Sequence, residues 1–279
     1  MIVTRFAPSP TGFLHLGHAY AAWLAREAGE RFLLRIEDLD ASRCRETFVT
    51  ALVEDLAWLG VAWDEPVLRQ SQRFSLYRKY LAKLEAMQVL YPCFCTRKEI
   101  AHEIARSAEA PQGADGTLYP GICKRLAPAM REAKIKSGVP YALRLDVEKA
   151  AALAGPLTLI EHGEGPGQQR GFLAATPSLF GDIVLSRKDM PASYHLAVVA
   201  DDAESGVTLV TRGNDLFAAS HVQRLIQALL GLPAPAYAHH KLILDEDGRK
   251  FSKRNKGVTL RSLRQSGVSP DEIRRRLGL

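Results

Sequence analysis

Long hydrophobic runs are missing from this chain. No uninterrupted apolar stretch approaches the roughly 20 residues that cross a bilayer, and Met1 leads straight into an alternating segment without a charged-then-apolar leader. Both absences point away from insertion and export, toward a cytoplasmic protein. Cysteine is scarce as well, four in 279 residues. Cys93 and Cys95 sit too close for a relaxed disulfide, and Cys123 follows on the far side of a Gly/Pro-rich loop. This spacing is unlike a disulfide framework and fits a reducing compartment better, with buried thiols or a metal as the uses it suggests. Internal repeats and long low-complexity tracts are also lacking. What is present is 47% hydrophobic residues, enough for a substantial core in one large domain or one domain carrying an insertion. A formal charge of +6 favours contact with a polyanion and fits an ordinary basic protein equally well.

Residues 2–7 read as a short strand, stopped by Pro8 and Pro10. A turn through Gly12 leads to a helical run over about 17–30, and 31–36 is a second strand. Strand, tight loop, helix and strand make a right-handed crossover, the opening of a nucleotide-binding parallel sheet. Amphipathic helices are expected over 47–59 and 72–88. From 91 to about 171 the texture changes to closely spaced cysteines and Gly-rich loops, which reads as an insertion. Alternation returns over 182–185, 195–200 and 207–210, before a helix over 220–230, so a second half of the sheet is expected there. The expected organisation is a first half over 1–90, an insertion over 91–180, a second half over 181–232, and a basic C-terminal segment over 233–279, helical at its end.

The residues with chemical potential cluster at two places. His15-Leu16-Gly17-His18 stands where the first strand hands over to the first helix, and a helix N-terminus presents free N–H groups and positive potential to a phosphate. Two imidazoles there can both donate to a triphosphate, while Gly17, lacking a Cβ, permits close approach of adenine or ribose. An isolated pair of this kind suits a helix cap or a metal equally; the strand–loop–helix context favours the nucleotide. Near the other end, Lys250-Phe251-Ser252-Lys253-Arg254 follows the turn residues Asp245-Glu246-Asp247-Gly248. A lysine on such a loop can neutralise charge on an α-phosphate and departing pyrophosphate. By itself it would be a solvated turn or a nucleic-acid patch.

Together the two segments resemble the HIGH and KMSKS signatures of class I aminoacyl-tRNA synthetases. The string from Arg5 to Gly12, with Arg35-Ile36-Glu37-Asp38, Tyr194 to Val199 and Arg212-Gly213-Asn214-Asp215, resembles the glutamyl branch, in the same order over essentially the whole chain. The resemblance implies a Rossmann-like α/β catalytic domain with a zinc-bearing insertion and a short helical C-terminal segment. It implies ATP binding by His15, Gly17, His18 and Lys253, with Mg²⁺ accompanying the ATP and with His15, His18 and Lys253 in the catalytic role. It places glutamate against the segment Arg5, Phe6, Ala7, Pro8 and Ser9, and against Glu37, Tyr194 and Arg212. The chemistry agrees, since two carboxylates ask for guanidinium donors and an ammonium asks for an acidic acceptor. Without the flanking motifs, surface ion pairs would explain the same charges.

The cysteines carry the resemblance one step further. Cys93-x-Cys95 followed by Tyr119-x-x-x-Cys123 resembles the zinc site of the short glutamyl-queuosine branch, whose members attach glutamate to queuosine in the anticodon loop of tRNA(Asp). One structural zinc on Cys93, Cys95, Cys123 and Tyr119 is implied, with His102 an alternative fourth ligand and Cys44 unassigned. Only 25 residues follow Arg254, fewer than the anticodon-reading domains of a full glutamyl-tRNA synthetase require. The expected partners are therefore glutamate, ATP and queuosine-bearing tRNA(Asp), with no membrane and no obligate protein partner for a monomer. Charging of a tRNA 3′ end and a non-catalytic RNA-binding role are the competing expectations.

Overall fold

In a computed structural model of the chain, the described residues are 1–106, 112–113, 116–243 and 258–279, with side chains described outside 103–117. The chain opens with β1 (Val3–Phe6), α1 (Leu16–Ala28), β2 (Arg31–Ile36), α2 (Glu46–Trp58), β3 (Asp64–Arg69) and α3 (Phe74–Ala86). β1, β2 and β3 pair in parallel, as the crossover pattern requires. Pro8 ends the first strand, and α1 starts at an extended His15. Its small apolar residues Ala19, Ala22 and Ala25 with Trp23 face the sheet.

The middle of the chain supplies β4 (Leu90–Cys93), α4 (Arg97–Arg106), β5 (Gln112–Gly113), β6 (Gly116–Thr117), α5 (Pro128–Lys136), β7 (Ala142–Leu145), α6 (Val147–Ala154), β8 (Thr158–Glu161), β9 (Gly171–Ala174) and β10 (Val184–Ser186). β4, β7 and β10 form a separate antiparallel sheet. Residues 182–185, expected in the second half of the main sheet, thus belong partly to this added layer. Conversely, β8, which lies inside the expected insertion, pairs in parallel with a strand of the second half.

That half consists of α7 (Tyr194–Glu204), β11 (Leu209–Gly213), α8 (Phe217–Leu230) and β12 (Ala236–His240), followed by α9 (Leu260–Gln265) and α10 (Pro270–Leu277). The four strands run in the order β11, β12, β8, β9. Residues 195–200 are helical, against the expectation of a strand. The physical reason is burial on nearly every side: Leu196 through Asp202 are all buried in α7, so no polar face marks a helical period. β1 and β11 lie side by side, and the Thr208 N–H donates to Val3 O at 3.0 Å. The two parallel halves therefore meet at a point where connections leave in opposite directions, the place where ligands bind in such sheets.

One core, on α3, α6, α7 and α8, holds Tyr77, Leu84, Leu196, Val222 and Leu225. A second, under α1 and α2, holds Trp23, Leu34, Ile36 and Leu56, and also takes Leu260, Ile273 and Leu277 from the C-terminal helices. The expected helical end of the chain thus packs beside the first crossover. Leu260 N–H donates to Leu14 O at 2.8 Å, tying α9 to the residue before His15.

The Gly-rich stretch after β8, which had no role in the sequence reading, has one here. A Cβ on Gly163 would fall 2.2 Å from His239 O and 2.7 Å from its N, so backbone at this point approaches too closely for any other residue. Gly163→Ala is expected to destabilise the protein by about 1–3 kcal/mol through overpacking, read as a lowered Tm; an unchanged Tm would contradict this packing.

Candidate active site

A cavity of about 500 Å³ opens at the carboxyl ends of β1, β2, β11 and β12. It is lined by Arg5, Phe6, Ala7, Pro8 and Ser9, by Glu37, by His15, Gly17 and His18 at the start of α1, by Tyr194 at the start of α7, and by Arg212. These are all the residues expected around glutamate and ATP except Lys253, which lies with 245–248 outside the described residues. Glu37 is set opposite the β1 segment by its own backbone, whose N–H donates to Pro8 O at 3.0 Å.

The charged groups are arranged as a buried network. Arg5 reaches Asp202 through Nε at 3.0 Å and Nη2 at 3.3 Å, a two-pronged contact with one carboxylate. Arg35 reaches the same Asp202 through Nη1 at 2.5 Å and Glu37 through Nη2 at 3.2 Å. Burial alone would raise the Asp202 pKa, yet Arg35 and Arg5 outweigh it and hold the carboxyl at about 2. Glu37 differs: burial pushes it above the ordinary carboxylate range, and the pull of Arg35 and Arg5 only partly opposes that. An incoming ammonium would repair the imbalance.

Arg212 is held differently. Its Nε donates to His239 Nε2 at 3.2 Å, Nη1 to Gln223 Oε1 at 3.0 Å, and Nη2 to Ser220 Oγ at 2.5 Å. Behind these, His239 Nδ1 lies 2.5 Å from Glu161 Oε2. Arg35, Asp202, Glu161, Ser220, Gln223 and His239 were absent from the sequence-derived set. They are buried and scattered over two hundred positions; the local signals were the motif Arg35-Ile36-Glu37-Asp38, which held Arg35, and the acidic pair Asp201-Asp202 inside an otherwise apolar run.

The histidines meet in an unforeseen way. His15 backbone N–H donates to His18 Nδ1 at 3.2 Å, and the two rings stand 3.8 Å apart between centroids. Gly17 does permit a close approach, but the group nearest its missing Cβ is the His15 ring itself, with Cε1 at 3.2 Å.

The cysteines come together as the resemblance implied. The ligand atoms of Cys93, Cys95 and Cys123 lie within 4.8 Å of one another. Tyr119 Oη stands 3.4 Å from Cys93 Sγ and 3.5 Å from Cys95 Sγ. Three thiols and a phenol converging on one point is a donor set suited to a four-coordinate zinc ion. His102 is exposed on α4 and does not join them. Between this cluster and the first cavity lies a second, of about 830 Å³, which shares Ser9, Glu37 and Tyr194 with it. Its walls carry Arg43, Arg97, Arg144, Arg187 and Lys188, together with Cys44. No helix among the described residues is long and apolar enough to cross a membrane.

The model of the class I tRNA synthetases (E and Q), catalytic domain, matches residues 1–279. A glutamyl-Q tRNA(Asp) synthetase of Rhodobacter capsulatus is 46% identical, with all of each chain covered. A glutamate–tRNA ligase of Aquifex aeolicus is 40% identical over 98% of this chain and 55% of its own length. Among solved structures, the glutamate-tRNA synthetase of Elizabethkingia anophelis superposes with a TM-score of 0.73 at 28% identity, over 91% of this chain and 52% of that one. The chain thus spans about half the length of these glutamate–tRNA ligases. Its parallel sheet, its crevice and the full-length match agree, and the chain belongs to the class I tRNA synthetases of the E and Q type, a family of ligases.

Proposed function

We propose that this protein activates glutamate with ATP and transfers it to queuosine in the anticodon loop of tRNA(Asp). The observation that carries the first half is the 500 Å³ crevice cavity, which gathers Arg5, Arg212, Glu37 and Tyr194, with Asp215 and Tyr20 also in its walls, beside the start of α1. In this reading Glu37 accepts the α-ammonium of the substrate, and Arg5 and Arg212 hold its carboxylates. His15 and His18, at the helix N-terminus, contact the ATP phosphates. Lys253 neutralises charge on the leaving pyrophosphate. One carboxylate oxygen of glutamate attacks the α-phosphorus, the bond to the β-phosphate oxygen breaks, and glutamyl-adenylate and pyrophosphate form. No enzyme nucleophile is needed, because positioning and charge stabilisation account for the step. Mg²⁺ bound with the ATP would supply screening of its phosphate charge.

Transfer follows from the adenylate. A hydroxyl of the queuosine cyclopentene ring attacks the acyl carbon, its proton is released, and AMP leaves. Support for this acceptor comes from the 46% identical relative, covered end to end, whose name specifies tRNA(Asp). It also comes from the adjoining 830 Å³ cavity, large enough for an unstacked nucleoside, whose walls carry Arg97, Arg144 and Lys188 as well as Arg43 and Arg187, the last two paired with Asp40 and Asp189. Cys93, Cys95, Cys123 and Tyr119 would hold a structural zinc that fastens β4 to the loop before α5, and no step of the reaction depends on it.

Two outcomes check this account. Radioactive glutamate should label queuosine-containing tRNA(Asp) on a nuclease fragment from the anticodon loop, and leave queuosine-free tRNA(Asp) and tRNA(Glu) unlabelled; stable label at the 3′ end of tRNA(Glu) would overturn the acceptor. Metal analysis should find about one zinc per chain, falling to near zero in Cys95→Ser. A metal-free protein prepared with ample zinc would return the cluster to buried thiols.

A further inference from the structure

Behind Arg212 stands a serine–histidine–glutamate arrangement. Ser220 Oγ lies 3.2 Å from His239 Nε2, and His239 Nδ1 lies 2.5 Å from Glu161 Oε2, the order of a nucleophile, a base and an orienting acid. None of the three lines the cavity, all are buried, and Ser220 already accepts a hydrogen bond from Arg212. A nucleophilic role is excluded by that geometry. What Ser220 and His239 do touch is Arg212.

Arg212 commits one N–H from each of its three nitrogens to His239, Gln223 and Ser220. Among the described residues that leaves two of its five donors, one on each terminal nitrogen, for the cavity. Ser220 and Gln223 are neutral acceptors. His239 is a third only if it is uncharged with its proton on Nδ1, leaving the Nε2 lone pair for Arg212. Glu161 imposes that tautomer. Its Oε1 is occupied by two backbone donors, His239 N and Gly163 N, both at 2.8 Å, so Oε2 remains to draw the imidazole proton onto Nδ1. Burial, reinforced by Arg212, holds the imidazole below its ordinary pKa despite the pull of Glu161. Arg5, by contrast, is paired directly with the Asp202 carboxylate.

We propose that Glu161, acting through the tautomer of His239, is a positioning residue that keeps Arg212 oriented by acceptors that are neutral among the described residues, so that its charge selects the side-chain carboxylate of glutamate over the amide of glutamine. This rests on the glutamate reading of the cavity. It explains why Arg212, unlike Arg5, has only neutral partners among the described residues: a buried guanidinium held by neutral acceptors gains more from meeting an anion than one already paired with a carboxylate, and gains little from a neutral amide.

The test uses pyrophosphate exchange by the whole chain with glutamate and with glutamine. Exchange by the unmodified protein decides the glutamate reading itself, and the variants are then judged relative to it. In Glu161→Gln the amide oxygen stays with the two backbone donors, so the amide NH₂ faces His239 Nδ1 and drives the proton to Nε2, against the Arg212 Nε–H. The KM for glutamate should rise at least about tenfold, the cost of a lost hydrogen bond to a charged group, while kcat and the KM for ATP change little. Equal rises in both KM values, or an unchanged KM for glutamate, would overturn the proposal. Gln223→Glu is nearly isosteric and places a carboxylate on Arg212, as Asp202 stands on Arg5. With Tm preserved, the kcat/KM ratio of glutamate to glutamine should fall at least about tenfold, as expected when a direct ion pair offsets the selecting charge. A ratio unchanged in Gln223→Glu would sink the idea even if Glu161→Gln failed to fold.

Discussion

The Asp202 carboxylate, shared by two buried guanidinium groups, is the interaction on which the site depends. It sits in α7 and receives Arg5 from β1 and Arg35 from β2, so one side chain fixes the relative placement of two parallel strands and the helix that covers them. Burying three charges is expensive, and their mutual attraction compensates only when the geometry is good and further hydrogen bonds complete it. Arg35 extends the network to Glu37, and Arg5 extends it to Thr211 O at 3.4 Å on β11. The result spans the line where the two halves of the sheet meet. Asp201, the neighbouring residue, anchors the same helix from its other side by accepting from Arg73, Tyr77 and Gln70.

From this clamp the chemistry of the cavity follows. Arg5 and Arg35 are balanced by Asp202 and Glu37, while Arg212 adds a positive charge whose contacts are neutral. The cavity, which Asp215 also lines, thus offers an acidic acceptor of raised pKa in Glu37 and, in Arg212, a guanidinium whose hydrogen-bond partners among the described residues are neutral. An amino acid carrying an ammonium and two carboxylates complements that distribution. The α1 N-terminus brings positive potential beside it, where a triphosphate gains most. The packing of Leu260 under Leu14 links the C-terminal helices to the same place, so the flanks of the second signature are anchored next to the histidines of the first.

Much of this was legible in the sequence, for identifiable reasons. The strand–turn–helix around Pro8 to His18 is encoded locally, by prolines, a glycine and a strong change of period, and the lining residues of β1, β2 and β11 fell within short motifs. The convergence of Cys93, Cys95, Tyr119 and Cys123 followed from spacing joined to a resemblance. The failures have physical causes. Residues 195–200 hid their helix because burial on all sides removes the polar face that reveals a helical period. β8 was assigned to the insertion because pairing between Glu161 and Tyr237 leaves no trace in local composition. Glu161, His239 and Asp202 went unnoticed because single buried polar residues far apart in sequence acquire meaning only when folding brings them together. Gly163 looked like loop filler until its contact with His239 backbone gave it a steric reason.

The central claim is that this network and cavity form a self-sufficient site for activating glutamate. Exchange of labelled pyrophosphate into ATP by the purified chain, with no RNA present, tests it most directly. The account predicts exchange with glutamate and none with aspartate, and its collapse in Lys253→Ala through kcat with the KM for ATP nearly unchanged. Exchange that appears only after RNA is added, or that aspartate drives as well as glutamate does, would contradict it.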